Sequence, residues 1–200
     1  MKNNTWFPVV YMFIITAVLS AILLGLSDYT RDRIELNAKL AFESATLEAL
    51  GLSEGKSQNE IHEIFAAQIS ETDGYYTYKD NGQLKAYAVP VSGKGFWADI
   101  KGIIGVAADK KTVIGISFYE QSETPGLGAE IVKPAFRNQF PDKVLDSSNN
   151  MPLEIKSFGS ENTDSQVAAI TGATQTCTRL NRFMNENLKE WLTKVESEGK

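Results

Sequence analysis

Residues 75–91 read YYTYKDNGQLKAYAVPV, and this stretch decides the fold class. Two runs rich in aromatic and aliphatic residues, Tyr75–Tyr78 and Leu84–Val91, flank the turn Asp80–Gly82. An Asn-Gly pair between two such runs is a strong signal for a β-hairpin, because both residues tolerate positive φ angles. The stretch therefore predicts two antiparallel strands.

Further strands follow along the chain. Ile103–Ala107 and Val113–Tyr119 flank Asp109-Lys110-Lys111, which predicts a second hairpin, and Met151–Phe158 is a candidate for one more strand. An antiparallel sheet is the expected centre of the domain.

Helices are predicted before and after these strands in the sequence. Residues 31–50 combine apolar positions with charges and end at Gly51, and Ser57 with Glu60 forms a capping box that begins a second helix. An apolar stripe marks this second helix, formed by Ile61, Ile64, Phe65 and Ile69. The last helix is the clearest, with apolar residues at spacings of three and four: Leu180, Phe183, Met184, Leu188, Trp191, Leu192 and Val195. The fold class is α+β.

The composition excludes several functions. The 200 residues carry a net charge of −5 with a pI near 5.0, which argues against a nucleic-acid partner because phosphate binding needs clustered cations. A single cysteine, Cys177, excludes an internal disulfide and any multi-thiolate metal site. His62 is the only histidine, so a Ser-His-Asp triad and a histidine metal cluster are both unsupported. His62 lies off the apolar stripe and is predicted to be a solvated helix residue.

The amino-terminal segment is apolar from Trp6 to Leu26. A helix of about 20 apolar residues spans a bilayer, whereas the apolar core of a signal peptide has only about 7–15. An uncleaved anchor is therefore favoured over a cleaved signal peptide, although charge alone leaves its orientation open. The predicted organisation is a transmembrane anchor over 1–30, a juxtamembrane helix and linker over 31–56, and one domain over 57–200.

Three loops contain glycine and candidate ligand-binding residues: Ser92–Trp97, Glu123–Gly128 and Thr171–Thr176. Tight turns and a helix cap would explain each loop separately. The third loop, however, has more threonines than one cap needs and directly precedes the last helix. Free N–H groups at a helix N-terminus bind anions, above all phosphate. The residues alone thus predict a phosphate-bearing ligand without identifying it.

Taken together and in order, the segments Gly93–Trp97, Phe118–Gly128 and Ile170–Thr174 resemble the FMN-binding domains of respiratory Na+ pumps. The resemblance is strongest to the family formed by the C subunits of the Na+-translocating NADH:quinone oxidoreductases, and it extends over roughly residues 5–195. The G subunits of Rnf complexes share only the second and third segments. One position differs, because the family carries Asp six residues before the last motif threonine and this chain has Ala168.

The resemblance implies a cofactor and its attachment. It implies FMN held covalently through a phosphoester on Thr174, the last residue of the motif Thr171-Gly172-Ala173-Thr174. A flavin transferase would install it from FAD. The remaining cofactor-binding residues expected are Thr171, Gly172, Ala173, Thr176, Glu123, Thr124, Gly126, Leu127, Gly128, Lys94 and Trp97. No catalytic residue and no metal site are expected.

Two roles are predicted around the flavin ring. The loop 123–128 is expected to pack beside the ring, with glycines that let the backbone approach it and with Leu127 on its face. Lys94 or a backbone N–H is expected to favour the anionic reduced flavin.

The resemblance also implies a function. The chain would be an electron-carrying subunit, inactive alone, in a bacterial inner-membrane complex that couples NADH:quinone oxidoreduction to Na+ export. Its partners would be the other subunits, the flavin transferase and membrane lipid, with the domain on the periplasmic side. Two alternatives stay open: an Rnf-type subunit in ferredoxin:NAD+ chemistry, and a non-redox protein that kept the fold and lost flavin, for which Ala168 is the only support.

Overall fold

The computed structural model describes residues 6–156 and 163–198. The chain divides into two units, Met1–Lys39 and Leu40–Lys200. Helix α1 (Trp6–Ala49) contains a segment of mean hydropathy 2.6 that is long and apolar enough to cross a membrane. Length and composition alone support this, and a signal sequence passes the same test. The domain limits 1–30, 31–56 and 57–200 stay a prediction.

The second unit is built on an antiparallel sheet in the order β1-β2-β3-β4-β5. The strands are β1 (Ile69–Thr72), β2 (Tyr75–Asp80), β3 (Gln83–Lys94), β4 (Asp99–Ala107) and β5 (Val113–Glu120). Both predicted hairpins are confirmed, β2–β3 and β4–β5. Asn81 and Gly82 turn the first hairpin with φ angles of 50° and 77°, the left-handed region that an Asn-Gly turn requires.

The remaining elements complete the α+β fold. Helix α2 (Gln58–Gln68) begins at the predicted capping box of Ser57 and Glu60, a 3-10 helix covers Gly128–Val132, and α3 covers Pro134–Arg137. Strands β6 (Glu154–Lys156) and β7 (Gln166–Ala168) pair in parallel, and α4 (Thr174–Glu198) is the predicted last helix.

Two expectations about these elements need correction. Ile69 belongs to β1 rather than to the helical stripe, because α2 ends at Gln68 and Ile69 pairs with Tyr78. The strand expected over Met151–Phe158 is limited to β6 within the described residues, and Phe158 lies outside them.

The sheet lies between two helical layers. Every predicted apolar residue of α4 is buried against one face, and Gly93 makes room there, since a β-carbon at this position would lie 2.5 Å from Phe183. The end of α1, from Leu40 onward, packs with α2 on the other face. α1 ends at Ala49, and Gly51, two residues later, has a φ of 71°, outside the helical region, which fits the stop that the sequence predicts there.

The prediction for His62 was incomplete. Its side chain is half exposed, but Nδ1 lies 2.8 Å from Oε2 of Glu43, which is 1% exposed on α1. The contact joins α2 to the end of α1 across 19 residues of sequence, which periodicity within one helix does not reveal.

Strands β3 and β4 position the first glycine loop. Pairing between β2 and β3 ends at Tyr76 and Ala88, whereas β3 continues to Lys94 with β4 as partner. Pro90 lies in this extension, where no second strand requires its missing N–H. The extended pair closes with a hydrogen bond from Gly95 N to Ala98 O of 2.8 Å, so the loop projects from one end of the sheet.

Candidate functional site

The three glycine loops of the sequence meet in space. The backbone N–H of Trp97 donates to Glu123 Oε1 at 3.0 Å, and the indole Nε1–H of the same residue donates to Thr124 Oγ1 at 3.0 Å. The hydroxyl of Thr176 donates to Glu123 Oε2 at 2.6 Å. Glu123 therefore contacts both other loops with one carboxylate.

A cavity of about 340 Å³ opens where these loops meet. Apolar side chains line it and remain exposed, Phe96 at 45%, Trp97 at 64% and Leu127 at 43%. The rings of Phe96 and Trp97 pack edge to face, with centroids 4.9 Å apart. The other lining residues are Glu123, Thr124, Gly128, Gly172, Ala173, Thr174, Gln175 and Thr176.

The first turn of α4 presents polar groups to this cavity. The residue before the helix is Ala173, which has no side-chain acceptor for the N–H groups of this turn. Within residues 6–156 and 163–198, the N–H groups of Thr174, Gln175 and Thr176 have no hydrogen-bond acceptor. Unsatisfied N–H groups at a helix start are an anion-binding feature.

The threonines around this turn have different environments. Thr176 is 4% exposed and its hydroxyl is held by Glu123, whereas Thr174 and Thr178 are exposed. Thr174 lines both the 340 Å³ cavity and a neighbouring one of about 370 Å³, which Thr171 and Thr178 also line. Thr174 is thus the accessible hydroxyl that borders both spaces.

Three predicted cofactor residues do not line the 340 Å³ cavity. Lys94 is exposed at the end of β3, Gly126 has a φ of 76° in the open loop, and Thr171 lines the adjacent cavities instead. The charged residue that does line the cavity is Glu123. The roles predicted for Lys94, Gly126 and Thr171 stay predictions.

Another cavity, of about 400 Å³, lies apart from this one. Glu130, Phe136, Gln139 and Ala168 are among its lining residues. Gln139 holds Ala168 on both sides, accepting from its N–H at 2.8 Å and donating to its carbonyl at 3.3 Å. We place the site in the smaller cavity because the three loops meet there and Thr174 borders it.

Cys177 belongs to the core rather than to the site. It is 3% exposed, and its Sγ accepts a hydrogen bond from Ile170 N at 3.4 Å. Burial raises the pKa of this thiol, which keeps it protonated and unreactive.

Sequence reasoning missed two aspects of the site. Phe96 and Gln175 line the cavity although neither was predicted to bind the cofactor; Phe96 lies within the first family motif, which was the available signal. The double contact of Glu123 had no local signal at all.

The comparisons agree with this geometry. Residues 95–189 match the FMN-binding domain family, a span that includes all three loops from Gly95 onward. This part of the chain resembles an FMN-binding domain. Among curated proteins, the C subunit of the Na(+)-translocating NADH-quinone reductase of Pasteurella multocida is 38% identical over 119 residues, covering 59% of this chain and 44% of that protein. The C subunit of the Haemophilus ducreyi enzyme is 31% identical over 170 residues, covering 84% and 62%.

These alignments span 44% and 62% of the curated relatives' own length. Solved structures extend the likeness in fold. The crystal structure of the C subunit from Parabacteroides distasonis has a TM-score of 0.68 at 24% identity, covering 80% of this chain and 94% of that one. The Shewanella oneidensis structure has a TM-score of 0.62 at 22% identity, covering 81% and 92%. The chain is similar in sequence and fold to these C subunits, and its apolar helix fits a membrane protein.

The residues of the cavity fit FMN. A flavin ring is flat and largely apolar, and the rim of Phe96, Trp97 and Leu127 offers exposed apolar surface for it. The phosphate is an anion, and the N–H groups at the start of α4 suit it. Gly172, with a φ of 81°, brings this turn against Leu127, since a β-carbon there would lie 3.1 Å from Leu127 Cδ2. The apolar and anion-binding parts therefore adjoin.

Proposed function

We propose that the chain is the FMN-carrying subunit of a membrane complex that couples NADH:quinone oxidoreduction to Na+ export. The observation that carries the proposal is Thr174, an exposed hydroxyl in the first turn of α4 that borders the cavity in the FMN-binding domain. FMN is attached there as a phosphoester, installed from FAD by a flavin transferase. The curated relatives named as subunits of Na(+)-translocating NADH-quinone reductases support the choice of complex.

The chain's own residues bind and orient the cofactor, and FMN supplies reversible electron transfer. The three N–H groups of the first α4 turn bind the phosphate, and the helix dipole adds to their attraction. Phe96, Trp97 and Leu127 cover part of the ring and exclude water from that side. Thr176 is unsuited as acceptor because its hydroxyl is buried and donated to Glu123.

The membrane arrangement is part of the same proposal. The apolar part of α1 anchors the chain in the lipid of a bacterial inner membrane, and the domain lies on the periplasmic side, where it meets the other subunits. An alkaline-phosphatase fusion after Lys200 tests this orientation: high phosphatase activity supports it, and low activity with an active cytoplasmic reporter contradicts it.

A non-redox protein with the same fold is the second candidate, and Ala168 is the observation that favours it. The test is intact mass under denaturing conditions of the full chain co-expressed with a flavin transferase. We expect an FMN adduct in the wild type and in Thr178→Ala, the exposed threonine one turn away, and none in Thr174→Ala. Unmodified wild type would favour the non-redox protein, and an adduct that survives Thr174→Ala would refute the attachment site.

A further inference from the structure

Glu123 is the buried charge of the site. Glu123 is 5% exposed. Its Oε1 accepts a hydrogen bond from Trp97 N, and its Oε2 accepts one from Thr176 Oγ1. No lysine or arginine in the described part of the chain forms an ion pair with it. The carboxylate is satisfied by hydrogen bonds but its charge is not neutralised.

Two glycines next to this carboxylate leave space for it. A β-carbon at Gly95 would lie 2.6 Å from Glu123 Oε1, and one at Gly128 would lie 2.7 Å from Oε2 and would overlap Thr176 Oγ1. Real β-carbons do not approach oxygen so closely. A β-carbon at Gly95 would also lie 2.8 Å from the backbone oxygen of Ala98, so Gly95 and Gly128 make room for Glu123 together with Ala98 and Thr176.

We propose that Glu123 is a positioning residue for the flavin, and that its charge makes the bound flavin harder to reduce. This inference rests on the proposed function. By holding Trp97 and the first turn of α4 at fixed places, Glu123 sets the distance between the apolar rim and the phosphate-binding N–H groups. Reduction brings electrons onto the ring, and a fixed anion that lines the same cavity opposes that added charge.

Glu123→Gln separates the charge from the geometry. The amide oxygen still accepts from Trp97 N, and the amide nitrogen donates to Thr176 Oγ1, so both contacts persist without the charge. Glu123→Asp is the matched control, because it keeps the charge and shortens the reach by one methylene group.

The redox test uses the full chain in detergent, loaded with FMN and titrated with dithionite as the electron donor against indicator dyes. We expect the midpoint potential of Glu123→Gln to shift to more positive values, with the thermal unfolding temperature close to that of the wild type. We expect the smaller shift in Glu123→Asp. An unchanged or more negative potential in flavin-loaded Glu123→Gln overturns the proposal, while the proposed FMN attachment stands.

Hydrogen–deuterium exchange of the flavin-free chain tests positioning even if no FMN is bound. We expect Glu123→Ala to raise deuterium uptake in two peptides, the one that contains Trp97 and the one that covers residues 177–180, whose N–H groups are the first to be hydrogen-bonded in α4, and Glu123→Gln to leave both protected. Uptake that rises in neither peptide of Glu123→Ala overturns the positioning role, whereas absence of FMN from the wild type would refute only the proposed function.

Discussion

Ala49 lies directly on the backbone of β4, so close that a β-carbon at Gly105 would overlap its carbonyl oxygen. Gly105 pairs across the sheet with Gly115, whose β-carbon would lie 3.2 Å from the same oxygen. This glycine pair lets the end of α1 pack directly against the backbone of the sheet.

Replacing these two glycines by alanine is expected to lower the free energy of unfolding by different amounts. Gly105→Ala forces α1 and β4 apart and is expected to lower the free energy of unfolding by about 3 kcal/mol or more. Gly115→Ala requires a shift of only a few tenths of an ångström, and the lower backbone entropy of the unfolded chain offsets part of the cost, so we expect a change within about 1 kcal/mol. Chemical denaturation of the two variants in detergent is the measurement, and equal losses would contradict the packing described.

Gly128→Ala is expected to destabilise the site by about 1–3 kcal/mol, because the new methyl group meets Glu123 Oε2 and Thr176 Oγ1. Thr176→Ala removes one of these atoms. The double variant should therefore lose less stability than the sum of the two single variants, as residues in contact are not additive. Additive losses in thermal or urea unfolding would show that the two residues do not meet.

Leu127→Asp is expected to alter the flavin absorbance spectrum and midpoint potential without removing the proposed covalent bond at Thr174. Leu127 is exposed at the cavity rim and adjoins Gly172, so a carboxylate there would face the apolar part of the ring. Leu127→Met keeps an apolar side chain and serves as control. If the spectrum and potential of Leu127→Asp match the wild type, the loop does not touch the ring.

Ala168→Asp is expected to raise the fraction of chain that carries FMN when flavin transferase is limiting. The resemblance implies an acidic residue at this position, which we take to aid recognition by the transferase. Ala168 is half buried at the edge of the 400 Å³ cavity, where a larger side chain has space. Ala168→Asn has the same size without charge. Intact mass gives the modified fraction, and a wild type that is already fully modified would refute the need for the acid.

The lowered pKa of Asp109 leads us to expect that stability depends on pH. Asp109 accepts hydrogen bonds from Thr112 Oγ1 at 2.6 Å, Thr112 N at 2.9 Å and Lys111 N at 2.9 Å in the β4–β5 turn, and the Thr112 hydroxyl is the main reason why its pKa is lowered. A lowered folded-state pKa gives stability that is present above the unfolded value and lost as pH falls through the folded value.

The corresponding variant is Asp109→Asn. Because the group is exposed, we expect it to cost only about 1 kcal/mol at neutral pH. The difference from the wild type should begin to shrink as the pH falls below about 4, the ordinary value for aspartate, and should be lost as the pH falls through the lowered folded-state pKa. A difference in urea unfolding that is constant over this range would contradict the assignment.

The sequence by itself determined the features that are encoded by neighbouring residues. Turn stereochemistry placed the hairpin at Asn81-Gly82, a capping box began α2 at Ser57, and a repeat of three and four residues marked α4. Each signal is local, because a turn or one face of a helix involves residues only a few positions apart. The order of the three glycine loops carried the resemblance to the FMN-binding domains, which the family match then supported.

Only the tertiary structure decided how those loops contact one another. Glu123 meets Trp97 across 26 residues and Thr176 across 53, and these contacts depend on strand register and on how α4 packs on the sheet. The sequence suggested that Gly128 serves a ligand, whereas the structure gives it a protein neighbour, since the space of its missing side chain holds Thr176 and Glu123. The tertiary structure also decided which charge lies in the cavity. Lys94 is exposed at the end of β3, and the charged side chain that lines the cavity is the carboxylate of Glu123. The sequence does not show this, because a residue's surroundings are set by packing between layers and not by its neighbours in the chain.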